Sequence, residues 1–233
     1  MPTELSTLFS TAAPNADKAT YLKMITEDNV LNKPTLKTRQ LTAKRLGELY
    51  RLDPKAPSFR VMRQLWYLDS DGRPLLAFLN ACGRDTLLRT SAEFILNIHF
   101  GDVITFSDVE NFLEGRSPGR FGKKTLRSVS QNLNASFTQA GYLSGKSHKK
   151  RVQANATPGS ATYALFLAYL DGACAERLFE GPWARLLDCP LGSVHRLALA
   201  ASQRGLLDYR SAGGVIDVRF PHLLTEEEKE LLE

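Results

Sequence analysis

Two segments of the chain repeat one order of predicted elements, and this order limits the folds open to the chain. Residues 100–155 contain a short helix, a longer helix and two short strands, and residues 175–221 contain the same succession. In the second segment the helix is predicted to stop at Gly205, and Gly213-Gly214 is predicted to turn the hairpin. Two helices followed by a β-hairpin are the elements of a winged helix-turn-helix. The sequence therefore predicts a mainly α protein with winged helix-turn-helix units and short β-hairpin wings.

The chain is predicted to divide into four parts around these units. Residues 1–34 form an N-terminal arm with one helix near 17–27. Residues 35–155 form a helical domain that ends in the first winged helix-turn-helix. Residues 156–221 form a C-terminal helical, winged-helix-like domain, and residues 222–233 form an acidic tail.

Several local patterns predict how single helices begin and pack. Asp85 is a candidate N-cap, and Ser107 with Glu110 three residues later predicts a capping box. Residues 158–172 are apolar enough to be buried on most sides. The apolar side of the first long helix is predicted to consist of Leu36, Leu41, Leu46 and Leu49.

Charge is distributed unevenly along a chain whose net charge is +5. Residues 116–170 contain no aspartate or glutamate, whereas residues 1–115 are balanced and residues 171–233 have a net charge of −4. The basic residues of the central segment are Arg116, Arg120, Lys123, Lys124, Arg127, Lys146, Lys149, Lys150 and Arg151. A positive field that no local carboxylate neutralises attracts polyanions, of which nucleic acid is the commonest. The alternative is a solvated basic face, or one that pairs with acidic groups elsewhere in the fold.

The helix predicted for residues 123–140 combines an apolar stripe with a polar face that lacks carboxylates. At 100° per residue, the side chains within about 80° of one another are Leu126, Val129, Leu133 and Phe137. The opposite face holds Lys124, Arg127, Ser128, Gln131, Ala135 and Thr138, with Asn132 and Asn134 at its sides. Arginine pairs with guanine in the major groove, and glutamine or asparagine pairs with adenine. The pattern favours a recognition helix, and a plain surface helix is the alternative.

The expected DNA contacts come from this helix, from the turn before it and from the hairpin after it. The candidate residues are Arg120, Lys123, Lys124, Arg127, Ser128, Gln131, Asn132, Lys146, Lys149, Lys150 and Arg151. Cations beside the positive end of the helix destabilise it, and a bound phosphate would relieve that cost. The basic hairpin tip can hold the backbone beside the groove that the helix occupies. In the second unit the polar face is weaker and is expected to serve packing or protein contact; it holds His195, Arg196, Gln203 and Arg204.

No motif in the sequence predicts catalysis. Residues 140–147 match a relaxed phosphate-loop pattern, but a phosphate loop follows a buried strand and opens a helix, and here a helix precedes and a hairpin follows. The three cysteines, Cys82, Cys174 and Cys189, lack metal spacing and suggest reduced thiols in a cytoplasm. The longest apolar run, residues 161–170, is about half of a membrane span. We therefore expect no catalytic residue, no metal, no cofactor, no small-molecule substrate and no membrane partner.

Five blocks of sequence together resemble the BrxA family of the bacterial BREX phage-exclusion systems. They are TLKTRQLTAKRLGELYRLDP (35–54), RPLLAFLNACGRDTLLR (73–89), PGRFGKKTLRSVSQNLNASFTQAGYLSG (118–145), ATPGSATYALFLAYLDG (156–172) and ASQRGLLDYRSAGGVIDVRFP (201–221). The resemblance implies a non-enzymatic, mainly helical, cytoplasmic protein of an anti-phage defence cluster, acting beside other BREX proteins. It implies winged-helix DNA binding, and the family's likeness to the NusB antitermination fold keeps RNA open as a ligand. It supplies no catalytic motif to carry over.

The function expected from the sequence is therefore binding of double-stranded DNA in BREX defence, through a basic recognition helix and wing. Two alternatives stay open. One is an RNA-binding, antitermination-like factor, and the other is a scaffold that recruits other BREX proteins.

Overall fold

A helix that is buried on all sides organises the fold, which is given by a computed structural model describing residues 2–146 and 148–232. This helix, α9 (Pro158–Leu170), begins at a capping box of Thr157 and Ser160. Every residue from Gly159 to Ala168 is buried, as the apolar run predicted. The helices that pack against α9 include α4 (Pro57–Leu68), α5 (Arg73–Arg84), α10 (Arg177–Glu180), α11 (Pro182–Arg185) and α12 (Leu191–Gln203).

The first 34 residues are part of the core rather than an arm that stands apart from it. They form α1 (Pro2–Thr11) and α2 (Lys18–Thr26), and Asp17 caps α2 as the predicted helix near 17–27 requires. Phe9 of α1 packs edge-on against the rings of Tyr21, Phe59 and Trp66. One cluster of buried apolar side chains extends from Leu5 to Leu223 and contains residues of all four expected parts.

The apolar side predicted for α3 (Leu36–Tyr50) is right at Leu46, which is buried, and wrong at Leu36 and Leu41. Its buried residues are Thr42, Ala43, Leu46 and Tyr50, which face α2 and α5. Leu36 and Leu41 are 54% and 45% exposed. The buried side of the helix therefore differs from its leucine pattern, since Thr42 and Ala43 are buried together with Leu46.

Residues 86–151 form a three-helix, three-stranded unit. Its elements in order are α6 (Thr86–Leu96), β1 (Val103–Ile104), α7 (Phe106–Arg116), α8 (Lys123–Ala140), β2 (Leu143–Ser144) and β3 (Lys149–Arg151). The strands form an antiparallel sheet in the order β1-β3-β2, in which Val103 and Ser144 both lie opposite Lys150. The strand that comes last in sequence therefore lies between the other two.

The ends of these helices test the predicted caps. Asp85 caps α6 by accepting hydrogen bonds from the backbone amides of Leu87 and Leu88, as predicted. The capping box of α7 consists of Thr105 and Asp108, not of Ser107 and Glu110, and α7 begins one residue earlier than Ser107. Helix α8 has the predicted bounds, and Gly141 ends it in the left-handed conformation with φ 90°.

The last part of the chain holds short helices, a two-stranded hairpin and a terminal helix. Helix α10 (Arg177–Glu180) and α11 lie on either side of Gly181, as predicted around Trp183. Helix α12 leads to β4 (Asp208–Ala212) and β5 (Val215–Arg219), which pair antiparallel through the predicted Gly213-Gly214 turn. The acidic tail contains α13 (Glu226–Leu232), and Arg60 of α4 binds Glu228 of that helix.

In all, the protein is mainly helical, with 60% helix, 7% strand and small antiparallel sheets. Within residues 2–146 and 148–232, none of the helices has the length and apolar character that crossing a membrane requires.

Candidate nucleic-acid interface

The first two turns of α8 contact the apolar core through half-buried side chains only. The buried residues of α8 are Ser130, Leu133, Asn134, Phe137 and Ala140, and no residue from 123 to 129 is fully buried. The predicted stripe residues Leu126 and Val129 are half-buried. The N-terminal half of α8 therefore presents most of its circumference to solvent, which is the access that a helix needs to enter a DNA groove.

The exposed side of α8 carries the polar residues that the sequence singled out. Exposed positions among the candidates are Arg120, Lys123, Lys124, Arg127, Ser128, Gln131 and Asn132. Helix α8 has no acidic residue in its first turn, and Gly122 gives no side-chain cap to its free amides. The start of α8 thus combines a positive helix end with lysine side chains, an arrangement that favours a bound anion.

The basic side chains of this region lack acidic partners, with one exception. Among the described residues, no ion pair involves Arg116, Arg120, Lys123, Lys124, Arg127, Lys146, Lys149 or Lys150. None of the described tail glutamates forms an ion pair with them; Glu228 binds Arg60 and Glu226 binds Lys229. The positive field expected from the sequence is therefore not neutralised by contacts within the fold.

Arg151 is the exception, and its expected contact with DNA is wrong. Its side chain is 1% exposed and forms an ion pair with the carboxylate of Asp188, at 2.8 Å from Nη1 and 2.5 Å from Nη2. Its Nε donates to the carbonyl of Ile95. Successive side chains of a strand point to opposite faces, so the register of β3 turns Arg151 inward. The guanidinium holds the sheet to the rest of the fold and cannot reach a phosphate.

The hairpin between β2 and β3 presents fewer free cations than its sequence suggests. Lys150 and Lys146 are exposed, whereas Lys149 is half-buried and its Nζ donates to the carbonyl of Gly145 at 2.6 Å. Lys149 shares the inward face of β3 with Arg151, and Lys150 points the other way. Ser147, at the tip, lies outside the described residues. The outward cations of the hairpin are therefore Lys146 and Lys150.

A cleft beside the start of α8 brings in Arg116, which is not among the DNA contacts expected from the sequence. It has a volume of about 190 Å³ and lies between the start of α6, the end of α7 and the turn before α8. Arg116 and Arg120 both line it, together with Thr86, Thr90 and Ser117. The guanidinium of Arg120 lies over the ring of Phe121, 5.2 Å from its centroid. Arg116 belongs to the carboxylate-free segment, so its charge was a signal that the helix-face argument did not use.

The second helix-and-hairpin segment is less suited to a polyanion. His195 stacks on Phe179 at 4.2 Å, and its Nδ1 lies 3.0 Å from the hydroxyl of Tyr209. Arg196 donates to Ser193, and Arg210 lies opposite Asp217 in the hairpin. His195 is therefore engaged in packing, and Asp217 lies opposite the positive charge of Arg210.

Chemistry that needs a metal gains no support from the side-chain arrangement. Over the described ranges, no group of three or more histidine, cysteine, aspartate or glutamate side chains could hold a metal ion. Burial raises the pKa of the Cys82 thiol, and the nearby Asp85 charge adds to that effect. Burial also raises the pKa of Cys189. These two thiols stay protonated at neutral pH and are poor nucleophiles.

No family model, curated protein or solved structure matches this chain. The arrangement of its own residues carries the functional argument.

Proposed function

We propose that the protein binds double-stranded DNA through α8 and the β2–β3 hairpin, as a winged helix-turn-helix unit formed by residues 86–151. One observation carries the proposal. A unit with the order α6-β1-α7-α8-β2-β3 and a β1-β3-β2 sheet has an exposed third helix, α8, whose cations form no ion pair with the described acidic residues. A recognition helix lies in the major groove, and cations along it and beside it neutralise phosphates.

The contacts of the proposed complex fall into two groups. Lys123, Lys124, Lys146 and Lys150 bind phosphates, and Arg116 and Arg120 bind a phosphate at the cleft between α6 and α7. Arg127, Ser128, Gln131 and Asn132 lie on the exposed side of α8, where they face the base edges. Because phosphate contacts outnumber base contacts, the expected sequence preference is weak.

The biological setting that we propose follows from the sequence resemblance. The protein would act without catalysis in the cytoplasm, as a BrxA-type component of BREX anti-phage defence that works beside other BREX proteins. The second helix-and-hairpin segment, residues 177–219, would pack or bind protein rather than DNA.

A binding assay with three probes across a salt series tests the proposal. If about five or six cations neutralise phosphates, the logarithm of the affinity for duplex DNA should fall with the logarithm of salt at a slope of about −5. Structured RNA should compete poorly, because the A-form major groove does not admit a helix. A slope near zero with DNA would overturn the proposal, and stronger binding of RNA would favour the antitermination-like alternative.

Two variants with the same change of net charge distinguish binding at the α8 surface from a general effect of the protein's charge. Lys124→Glu with Arg127→Glu should weaken duplex binding at least about tenfold. Lys37→Glu with Arg45→Glu changes the net charge equally on the exposed side of α3 and should leave most of the affinity. Equal losses in the two pairs would contradict a site on α8. No binding by the parent protein at moderate salt would favour the scaffold alternative.

A further inference from the structure

An open groove lies on a different side of the same unit from the basic helix face. It has a volume of about 780 Å³ and is bounded by the end of α6, by β1 and by α7. Its floor is apolar and is formed by Phe94, Ile98, Val103, Ile104 and Phe112. The rings of Phe94 and Phe112 stack with centroids 4.7 Å apart, and Val103 is 48% exposed. Apolar surface gathered in a groove is typical of a site that another chain covers.

One wall of the groove is the free edge of a strand. Among the described strands, β1 pairs with β3 alone, so one side of β1 has no neighbour. An exposed sheet edge accepts an added strand, and pockets beside that edge take alternate side chains of the added chain. This geometry selects an extended peptide over a helix.

The charge around the groove favours an occupant of positive charge. Among the described residues that line the groove, the polar ones are Asp102, Asp108 and Asn111, and none is basic. The acidic residues of 86–115 are Glu93, Asp102, Asp108, Glu110 and Glu114, against the single fixed cation Arg89. In the next 36 residues, 116–151, every aspartate or glutamate is absent and the charged side chains are all lysine or arginine. The unit therefore has an acidic part and a basic part, and the acidic part repels DNA and attracts a cationic chain.

We propose that the groove between α6, β1 and α7 binds an extended segment of a partner protein, with alternating apolar and basic residues, that adds a strand to β1. The apolar side chains of that segment cover Phe94, Ile98 and Phe112. Its basic side chains lie near Asp102 and Asp108. DNA and the partner segment then occupy different surfaces of one small unit, so that binding of one leaves the other site open.

A synthetic peptide of alternating valine and lysine or arginine, labelled with fluorescein, is the probe. Its matched control carries glutamate at every basic position. In fluorescence polarisation at 0.15 M salt, the basic peptide should bind the full-length protein at least about tenfold more tightly than its acidic twin. N-methylation of alternate peptide amides should remove binding, because it blocks strand pairing. The methyl resonances of Ile98 and Ile104 should shift on binding, and that of Ile216 in β5 should not.

Variants with equal charge changes locate the site. Asp102→Lys with Asn111→Lys changes two exposed groove residues and should weaken peptide binding about tenfold. Gln40→Lys with Glu48→Lys makes the same change of charge at exposed positions of α3 and should cost less than about threefold, since salt screens charges away from the groove.

Four results would overturn the inference. Equal binding of the basic and acidic peptides would remove the charge argument, and so would absence of binding by both. Equal losses in the two variants would place any binding elsewhere. A dimer in sedimentation that the groove variant dissociates would assign the groove to a second copy of this chain.

Discussion

Arg151 and Asp188 form a buried, two-pronged ion pair that joins the β1-β3-β2 sheet to the loop after α11. The carboxylate of Asp188 also accepts a hydrogen bond from the backbone amide of Ala154. Close by, the hydroxyl of Tyr142 donates to the carbonyl of Leu186. The strand that carries the proposed wing is thus anchored to the core by hydrogen bonds between residues that are 34 to 44 positions apart in sequence. These contacts fix the orientation of the hairpin without offering any charge to a ligand.

Replacing Arg151 should affect folding stability far more than electrostatic binding. Arg151→Ala leaves the carboxylate of Asp188 buried without its cation, which costs about 3–5 kcal/mol of the free energy of unfolding. Urea denaturation measures the loss. The salt dependence of DNA binding by the folded variant should keep its slope, because Arg151 contacts no phosphate.

Two further variants control for this effect. Lys150→Ala, one residue away and exposed, should change stability by less than about 0.5 kcal/mol. Arg151→Met with Asp188→Asn should lose less stability than the sum of the single changes, since neither buried charge then remains. Additive losses would contradict a direct coupling between the two side chains.

Asp69 stabilises the start of the central helix α9 from another part of the chain. Its carboxylate accepts hydrogen bonds from the backbone amides of Gly159 at 2.8 Å and Gly72 at 3.1 Å. Asp69→Ala should lower the free energy of unfolding by about 3 kcal/mol, because two buried amides lose a charged acceptor. Asp71→Ala, at an exposed neighbour, should be nearly neutral in the same thermal or urea measurement. Equal losses of stability in the Asp69 and Asp71 variants would mean that Asp69 stabilises the turn before α5 and not the start of α9.

The same contact predicts an unusual response at Gly159. A Cβ there would lie 2.4 Å from Oδ2 of Asp69, which is a clash. Gly159→Ala should therefore destabilise the protein, although alanine normally favours a helix over glycine.

The docking of α13 should depend on pH through Glu228. Burial alone would raise the pKa of Glu228, but hydrogen bonds from Arg60 and Thr225 hold it below its ordinary value of 4.5. A lowered pKa means that the contribution to stability is complete above pH 4.5 and is lost as the pH falls through the folded-state pKa. The amide resonance of Lys229, followed from pH 7 downwards, should report release of the helix. Glu228→Gln should abolish this pH step, and a step that persists would assign the titration to another group.

The predictions that held were those with strong local signals. Gly141 can adopt positive φ without strain, and together with the apolar stripe it defined the end of α8. At α7 two overlapping cap patterns, Thr105 with Asp108 and Ser107 with Glu110, compete within two residues. Both fit a hydroxyl followed three residues later by a carboxylate, so the local sequence could not decide between them.

The errors came from distant contacts. Arg151 was expected at the surface because its neighbours are basic, and only the position of Asp188, 37 residues later, turns it into a core residue. On α3 the leucine pattern gave way to the packing of Thr42 and Ala43 against neighbouring helices. The helical class, the bounds of α8 and its free cations follow from local chemistry. Strand register and ion pairing depend on the fold as a whole.

Three single variants of α8 should distinguish contacts to base edges from contacts to phosphates. Arg127 and Gln131 are four residues apart on the exposed side of the helix. If they contact base edges, replacing either by alanine should reduce discrimination between duplex sequences by about 1–3 kcal/mol, and Gln131→Ala should leave the salt slope unchanged. Lys124→Ala should instead weaken all duplexes alike and reduce the slope by about 1. Selection from a random duplex pool, with a salt titration of each variant, measures both quantities, and Gln40→Ala on α3 is the neutral control. A uniform loss in Gln131→Ala would restrict α8 to the phosphate backbone.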